Sequence, residues 1–285
     1  MDSICNQTYT DLEIITVNDG STDNSLEILT SYASKDQRIK IISQEYMGVA
    51  ASRNTGIGIS TGEYLGFVDS DDYIDLNFYE NLYKTLKKAN ADYVMGMTKR
   101  FRVQSETYRI LPPYHAITTS SFSEKISLLR GGGVCDKLYK TSIIKSHNLS
   151  FDTGYTYEGN IFLVQYAFYS EIFSMTCDTF YNYFCNDDGI CRSKNHVNLK
   201  KNEESRIFAL DHVMRISKEN NFDNQALREV KKLLLVSVLD NNATKRKHRA
   251  HIYKQIGIFN IIKLKLYKRF KIIAQNLGRK YYIDL

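Results

Sequence analysis

Tyr64-Leu65-Gly66-Phe67-Val68-Asp69-Ser70-Asp71-Asp72 is an apolar run that ends in three carboxylates. A run of this length, preceded by Gly62 and Glu63, predicts a central strand of a sheet covered on both faces. Ligands of such sheets collect at the carboxyl ends of the strands. Carboxylates crowded there are costly unless they hold a cation. Mg²⁺ or Mn²⁺ takes one or two protein carboxylates and completes its shell with substrate phosphates, so Asp-x-Asp suits a metal that bridges protein to a diphosphate. Taken alone, the same residues also fit an Asp-rich turn with a helix cap over Asp72 to Asp75.

A second strand-like run lies upstream. Leu12-Glu13-Ile14-Ile15-Thr16-Val17 leads into Asn18-Asp19-Gly20-Ser21-Thr22-Asp23-Asn24-Ser25, where acid and turn residues again follow a strand. Gly20 permits a tight turn, and Asp23 or Asn24 can cap the helix begun by Leu26, Ile28 and Leu29. A carboxylate at Asp19 is suited to accept from a nucleobase imide; its bland reading is a turn residue. Between the two strands, Gly48-Val49-Ala50-Ala51-Ser52-Arg53-Asn54-Thr55-Gly56 combines small residues, which bring a helix close to a sheet, with one fixed cation. Arg53 can contact a base or a phosphate oxygen bidentately, or form a surface ion pair.

The succession Asn6-Gln7-Thr8-Tyr9, Glu13 to Ser25, Ala51 to Gly62 and Phe67 to Asp72 resembles the inverting glycosyltransferases of family 2, over roughly residues 3 to 185. The resemblance implies an α/β fold of the GT-A (Rossmann-like) type, a mostly parallel sheet sandwiched by helices, with a helical C-terminal extension. It implies a nucleotide-diphospho-sugar donor, most plausibly a UDP-sugar, and a saccharide or lipid-linked acceptor. Carried over, Asp19 contacts the nucleobase, Arg53 the base or diphosphate, Asp69 the ribose and Asp71 the Mn²⁺ or Mg²⁺. Family members then usually carry Trp-Asn-Lys-Leu near the sugars. Here the segment reads Cys135-Asp136-Lys137-Leu138-Tyr139, with Lys137 expected at the donor and no Trp to stack on.

Two further departures bear on activity. Members carry a Glu-Asp pair whose Asp is the general base, whereas this chain reads Glu158-Gly159. Glu158 is then the expected base, with Asp152 as a second candidate; loss of a general base typically removes about two to four orders of magnitude in rate. The second departure is at the amino terminus, which opens inside the helix that normally follows a central strand. Open edges on the neighbouring strands are expected, with the chain being a fragment or the product of a downstream start codon.

A length of 285 residues suffices for one large α/β domain and an appendage, expected as 1–198 and 199–285. The five cysteines include no Cys-x-x-Cys pair, which suggests neither zinc nor a disulfide framework. No apolar stretch reaches a membrane-spanning length, and no signal peptide opens the chain.

The net charge of +6 is uneven: Thr244 to Leu285 holds 12 Lys and Arg against one acid, or +11, leaving −5 for the rest. In that tail Ile256, Phe259, Ile262, Leu266, Phe270 and Ile273 recur at helical spacing among lysines and arginines, the pattern of a basic amphipathic helix. It fits an anionic membrane surface or a helix packed on the domain. Nucleic-acid binding is disfavoured by the acidic remainder. The expected location is cytoplasmic, peripheral at the inner face of the plasma membrane. A donor-binding protein without catalysis is the rival reading.

Alternation of strands at 12–17, 39–43, 64–68 and 92–97 with helices at 24–34, 49–59 and 75–90 predicts βαβ units. A loop over Tyr108 to Thr119, a short helix from Ser123, a helix over Tyr157 to Tyr169, a strand over Phe173 to Phe184 and helices beyond 200 complete the reading.

Overall fold

The computed structural model describes residues 1–102, 105–110, 115–129, 133–154 and 158–185, together with 208, 211–222, 225, 227 and 230. The expected division at 198/199 and the basic tail at 244–285 lie outside the described residues. A short helix, α1 (Asp2–Cys5), precedes β1 (Ile14–Asp19), α2 (Ser25–Ala33), β2 (Ile39–Gln44), α3 (Val49–Ile59) and β3 (Tyr64–Gly66). Then come β4 (Tyr73–Ile74), α4 (Phe78–Ala89), β5 (Tyr93–Arg102), β6 (Ser105–Ile110), β7 (Ile117–Thr119) and α5 (Phe122–Leu128). The order closes with β8 (Lys137–Lys140), α6 (Thr141–Ser146), α7 (Glu158–Tyr169) and β9 (Phe173–Cys185), followed by helix at 211–219.

The α/β class read from the sequence holds. Strand directions, however, are mixed. β1 and β2 pair in parallel as a two-stranded sheet, and β5 runs parallel to β9. The other pairings, in a seven-stranded sheet ordered β3-β8-β5-β9-β4 with β6 on β5 and β7 on β9, are antiparallel. The departure from a mostly parallel sheet has a physical source. β5 and β6 form a hairpin, and β8 enters between β3 and β5 against both. Part of the expected loop at 108–119 is therefore strand.

Among the described residues, β1 pairs only with β2 and β3 only with β8, so each has one side without a strand partner. Side chains hold the two sheets together at this point. Glu13 accepts from the Thr61 N–H at 2.8 Å and from the Lys40 ammonium at 2.6 Å, which ties the start of β1 to the turn before β3.

The larger sheet carries the core. Phe78, Leu82 and Leu86 of α4 are buried at helical spacing, and Asn90 closes that helix in the left-handed conformation. Gly66 is required by Tyr79, because a Cβ there would lie 2.7 Å from the phenol oxygen. α7 is apolar on every side, with Ile161, Phe162, Leu163, Val164, Tyr166 and Ala167 buried, as expected of a helix enclosed by its own domain. Lys125 holds its far end. The residue is 2% exposed, and its ammonium donates to the Ser170 carbonyl at 2.6 Å just past the last turn.

Burial pushes the Lys125 amine down to about 8 from 10.5, with Asp92 and Glu171 opposing the shift only in part. The unfolded chain thus binds this proton more tightly than the folded one, and stability gains as pH rises between about 8 and 10.5. Urea denaturation should show the wild type gaining on Lys125→Met over that interval; parallel pH dependences would contradict the burial of a charged amine. Hydrogen exchange should also be faster in β1 and β2, flanked on one side only, than in β5 and β9, where equal protection would show that the small sheet opens only with the large one.

Candidate active site

Four segments that are remote in sequence meet at the carboxyl ends of β1 and β3. They are the turn after β1, the first half of α3, the loop after β3, and the start of α7. Phe67 anchors the third of these, its ring meeting Tyr139, Phe151 and Phe162 edge-on at centroid distances of 6.0, 5.3 and 6.1 Å.

Arg53 stands at the centre. Its guanidinium donates to Asp69 Oδ1 at 2.8 Å and to Glu158 Oε1 at 2.7 Å, and lies 5.3 Å from the Phe151 ring centroid. Its side chain is 13% exposed and that of Glu158 11%. Burial works against the charge on Arg53, but the carboxylates Asp69 and Glu158 outweigh it and hold the guanidinium firmly protonated.

The acids after β3 have separate roles. Asp69 is held by Arg53, and its N–H donates to Tyr181 Oη at 3.1 Å. Asp72 accepts from Tyr181 Oη at 2.6 Å and from the Phe184 N–H at 2.8 Å, and burial pushes its carboxyl up to about 6. Asp75 accepts from the Phe180 N–H and from Asn182 Nδ2, at 3.1 and 2.9 Å. Asp71 is exposed, and among the described residues no hydrogen bond or ion pair engages its carboxylate. Asp72 and Asp75 thus secure the loop to β9, and Asp71 remains for a ligand.

Among the described residues, no three His, Cys, Asp or Glu side chains converge as a metal-binding group. The fit to Mg²⁺ or Mn²⁺ is that of a cation held by one or two carboxylates and completed by phosphate oxygens, with Asp71 available and Asp69 beside it.

Asp19 lies at the end of β1, where it accepts from the Met47 and Gly48 N–H groups at 2.9 and 2.7 Å and from Gln44 Nε2 at 2.8 Å. Burial raises its carboxyl, but these bonds more than offset that and hold it below the usual range. It thereby fixes the turn that leads into α3, whose N-cap is Gly48. Gly20, next in sequence, has φ +71° and lies so close to Tyr46 that a Cβ would meet its backbone nitrogen at 2.8 Å.

Lys137, expected at the donor, is fully buried. Its ammonium bonds the Asp136 carboxylate and the Gly133 carbonyl, while Asp136 also accepts from Thr98 Oγ1 at 2.8 Å. Cys135, where the resemblance led to an expected Trp, is buried beside Asp69, and burial raises its thiol well above the ordinary value. Gly159 follows Glu158 directly, and a Cβ there would meet Val134 Cγ1 at 3.2 Å. Tyr181 and Phe151 are parts of the site with no motif in the sequence to mark them.

Residues 1–145 match the model of glycosyl transferase family 2, just over half of the chain. The chain belongs to glycosyltransferase family 2. Among curated relatives, it is 38% identical over 162 residues to the glycosyltransferase GlyA of Streptococcus pneumoniae serotype 4, covering 57% of this chain and 22% of that protein. It is 30% identical over 249 residues to a poly(ribitol-phosphate) beta-glucosyltransferase of Bacillus spizizenii, covering 85% of this chain and 37% of that protein. The chain therefore spans well under half the length of either. The fold is that of S. aureus TarS 1–349, solved in complex with UDP-GlcNAc, with a TM-score of 0.70, 18% identity, and coverage of 99% of this chain and 88% of that one.

Replacing Arg53 by Met should destabilise the fold by about 3 kcal/mol, because Glu158 is left as an unpaired buried charge. Glu158→Gln should then cost less in the Arg53→Met background than in the wild type. Independent, additive losses in chemical denaturation would refute the pairing.

Proposed function

We propose that the chain binds a nucleotide-diphospho-sugar, most plausibly a UDP-sugar, and transfers the sugar with inversion to a saccharide or lipid-linked acceptor in surface-polymer synthesis. The observation that carries this reading is the contrast at the end of β3. Arg53 is fixed by Asp69 and Glu158, while Asp71, two residues after Asp69, has no partner among the described residues. A buried, permanently charged guanidinium beside a free carboxylate suits a diphosphate and its counter-cation. Family membership supports the reaction class. The fold shared with a protein crystallised with UDP-GlcNAc supports the donor class, and similarity to the Bacillus spizizenii poly(ribitol-phosphate) beta-glucosyltransferase supports a polymer acceptor.

In this reading Asp19 shapes the base pocket through the 44–48 turn, Asp69 lies at the ribose, and Lys137 supports the site by holding the 133–136 loop. A divalent cation on Asp71 supplies neutralisation of the charge that grows on the leaving diphosphate. Glu158 is a positioning residue for Arg53, since its carboxylate is already committed to that guanidinium. The basic segment 244–285 would hold the enzyme near an anionic bilayer. Gly159 favours a second reading, a donor-binding protein without turnover.

Calorimetric titration with UDP, with and without Mn²⁺, is the test. UDP should bind more tightly with Mn²⁺, and Asp71→Asn should abolish that difference while leaving metal-free binding in place. Wild type and Asp71→Asn with equal responses to Mn²⁺ would refute the metal assignment. Binding without release of UDP from any UDP-sugar would favour the second reading.

A further inference from the structure

The turn between β2 and α3 holds out two large apolar side chains that the core does not use. Tyr46 is 78% exposed and Met47 64%, the two highest values among the large apolar residues described. We infer that Tyr46 is the platform on which the nucleobase of the donor stacks; the inference rests on the donor-binding reading above.

The turn is braced through its backbone. Asp19 Oδ1 accepts from the Met47 N–H at 2.9 Å and from Gln44 Nε2 at 2.8 Å, while Oδ2 accepts from the Gly48 N–H at 2.7 Å. Gly20 lies against Tyr46 from the other side, where a Cβ would come within 2.8 Å of the Tyr46 nitrogen. Gly48 closes the turn at φ +89°, which glycine adopts at no steric cost. None of these contacts uses the Tyr46 ring. Among the described residues, no hydrogen bond, ion pair or ring contact engages that side chain. The ring is therefore presented on a fixed backbone, without a part in holding the turn, and a ligand that covers it meets little ordering cost.

Its place in the fold selects the ligand. Asp19 and Gln44 are partners in the parallel register of β1 and β2, so the turn leaves the carboxyl ends of these strands, the edge at which an open α/β sheet takes its ligand. Gly48 is the N-cap of α3, and Arg53 follows five residues later, about 7.5 Å along the helix axis. Helical side chains lean toward the N-terminal end, which brings the guanidinium back toward the turn and onto Asp69 at 2.8 Å. Val49, 46% exposed at the first residue of α3, continues the apolar surface from Tyr46 and Met47 in the direction of Arg53. One short stretch of chain thus offers an aromatic face at one end and a fixed cation at the other. A nucleoside diphosphate presents the matching order, a planar base, a ribose and then phosphate.

Asp19 leaves this role open. Both of its oxygens already hold the turn, so the base contact expected of it gives way to a contact with the ring face. Every base has a π-face, and stacking is tolerant of which base it is, so Tyr46 supplies affinity rather than choice of base.

Calorimetry with Mn²⁺ on the full chain first identifies the tightest-bound of UDP, dTDP, CDP, GDP and ADP, and that nucleotide is then the probe. Tyr46→Ala should weaken its binding by about 5-fold to 100-fold, whereas Tyr46→Phe, which keeps the ring, should bind within about twofold of the wild type. The chain contains no tryptophan, so Tyr46→Trp introduces a single indole. That variant should retain binding and lose fluorescence when the nucleotide is added, with no loss on adding pyrophosphate, which has no base. Wild-type affinity in Tyr46→Ala, or an indole whose emission is unchanged by saturating nucleotide, would overturn the stack while leaving the donor reading intact. A wild type that binds none of the five nucleotides would overturn both.

Discussion

A buried guanidinium held between two carboxylates organises this molecule. Arg53 is on α3, Asp69 follows β3 and Glu158 opens α7, so one side chain joins segments 16 and 105 residues away. Removing three charges from water is expensive, and the mutual attraction offsets it only when the geometry is good and the remaining donors are satisfied. Here both ends of the guanidinium fork are engaged at 2.7 and 2.8 Å with an aromatic ring alongside. An aliphatic trio of equal volume would hold the same segments together at lower desolvation cost. Retention of charge at this point therefore fits a role in recognising an anion better than a role in stability alone.

The same logic distributes the acids after β3. A sequence rich in Asp at one strand end reads as a single metal motif, yet three of the four carboxylates between 69 and 75 are bound within the protein. Asp69 bonds Arg53, while Asp72 and Asp75 bond β9 through Tyr181, Phe184, Phe180 and Asn182. β9 thereby sets the position of a loop that lies over 100 residues upstream. Asp71 is exposed because its neighbours fix the loop and it does not.

The parts that were legible in the sequence are those governed by local rules. The α3 boundaries, Gly48 before it and Ser60 after it, follow from small residues and turn chemistry, and β1, β2 and α4 follow from apolar periodicity. Asp71 stands out by motif, and it is the exposed carboxylate of that loop. What escaped was non-local. The antiparallel entry of β8 between β3 and β5 depends on Asp136, Lys137 and Thr98 meeting inside the core, where the sequence shows only a charged pair. Lys137 is expected at the donor only through the resemblance of its segment to Trp-Asn-Lys-Leu; its ammonium is buried on the Gly133 carbonyl and the Asp136 carboxylate. Tyr181 gave no signal either, being one aromatic residue in a strand of them.

The division into two sheets bears on how a donor would bind. Asp19 and the 44–48 turn belong to the two-stranded sheet, whereas Asp69 and Asp71 follow β3 in the larger one. Glu13 with Thr61 joins the two at the ends of the strands remote from the site, and Arg53 with Asp69 joins them next to it. A nucleotide sugar lying across both would contact the small sheet through its base and the large one through its diphosphate. Part of its binding energy would then go into fixing one sheet against the other, and affinity would rise with anything that already holds them in register. Arg53, anchored on a helix packed on β1 and bonded to the loop after β3, is placed to transmit that coupling.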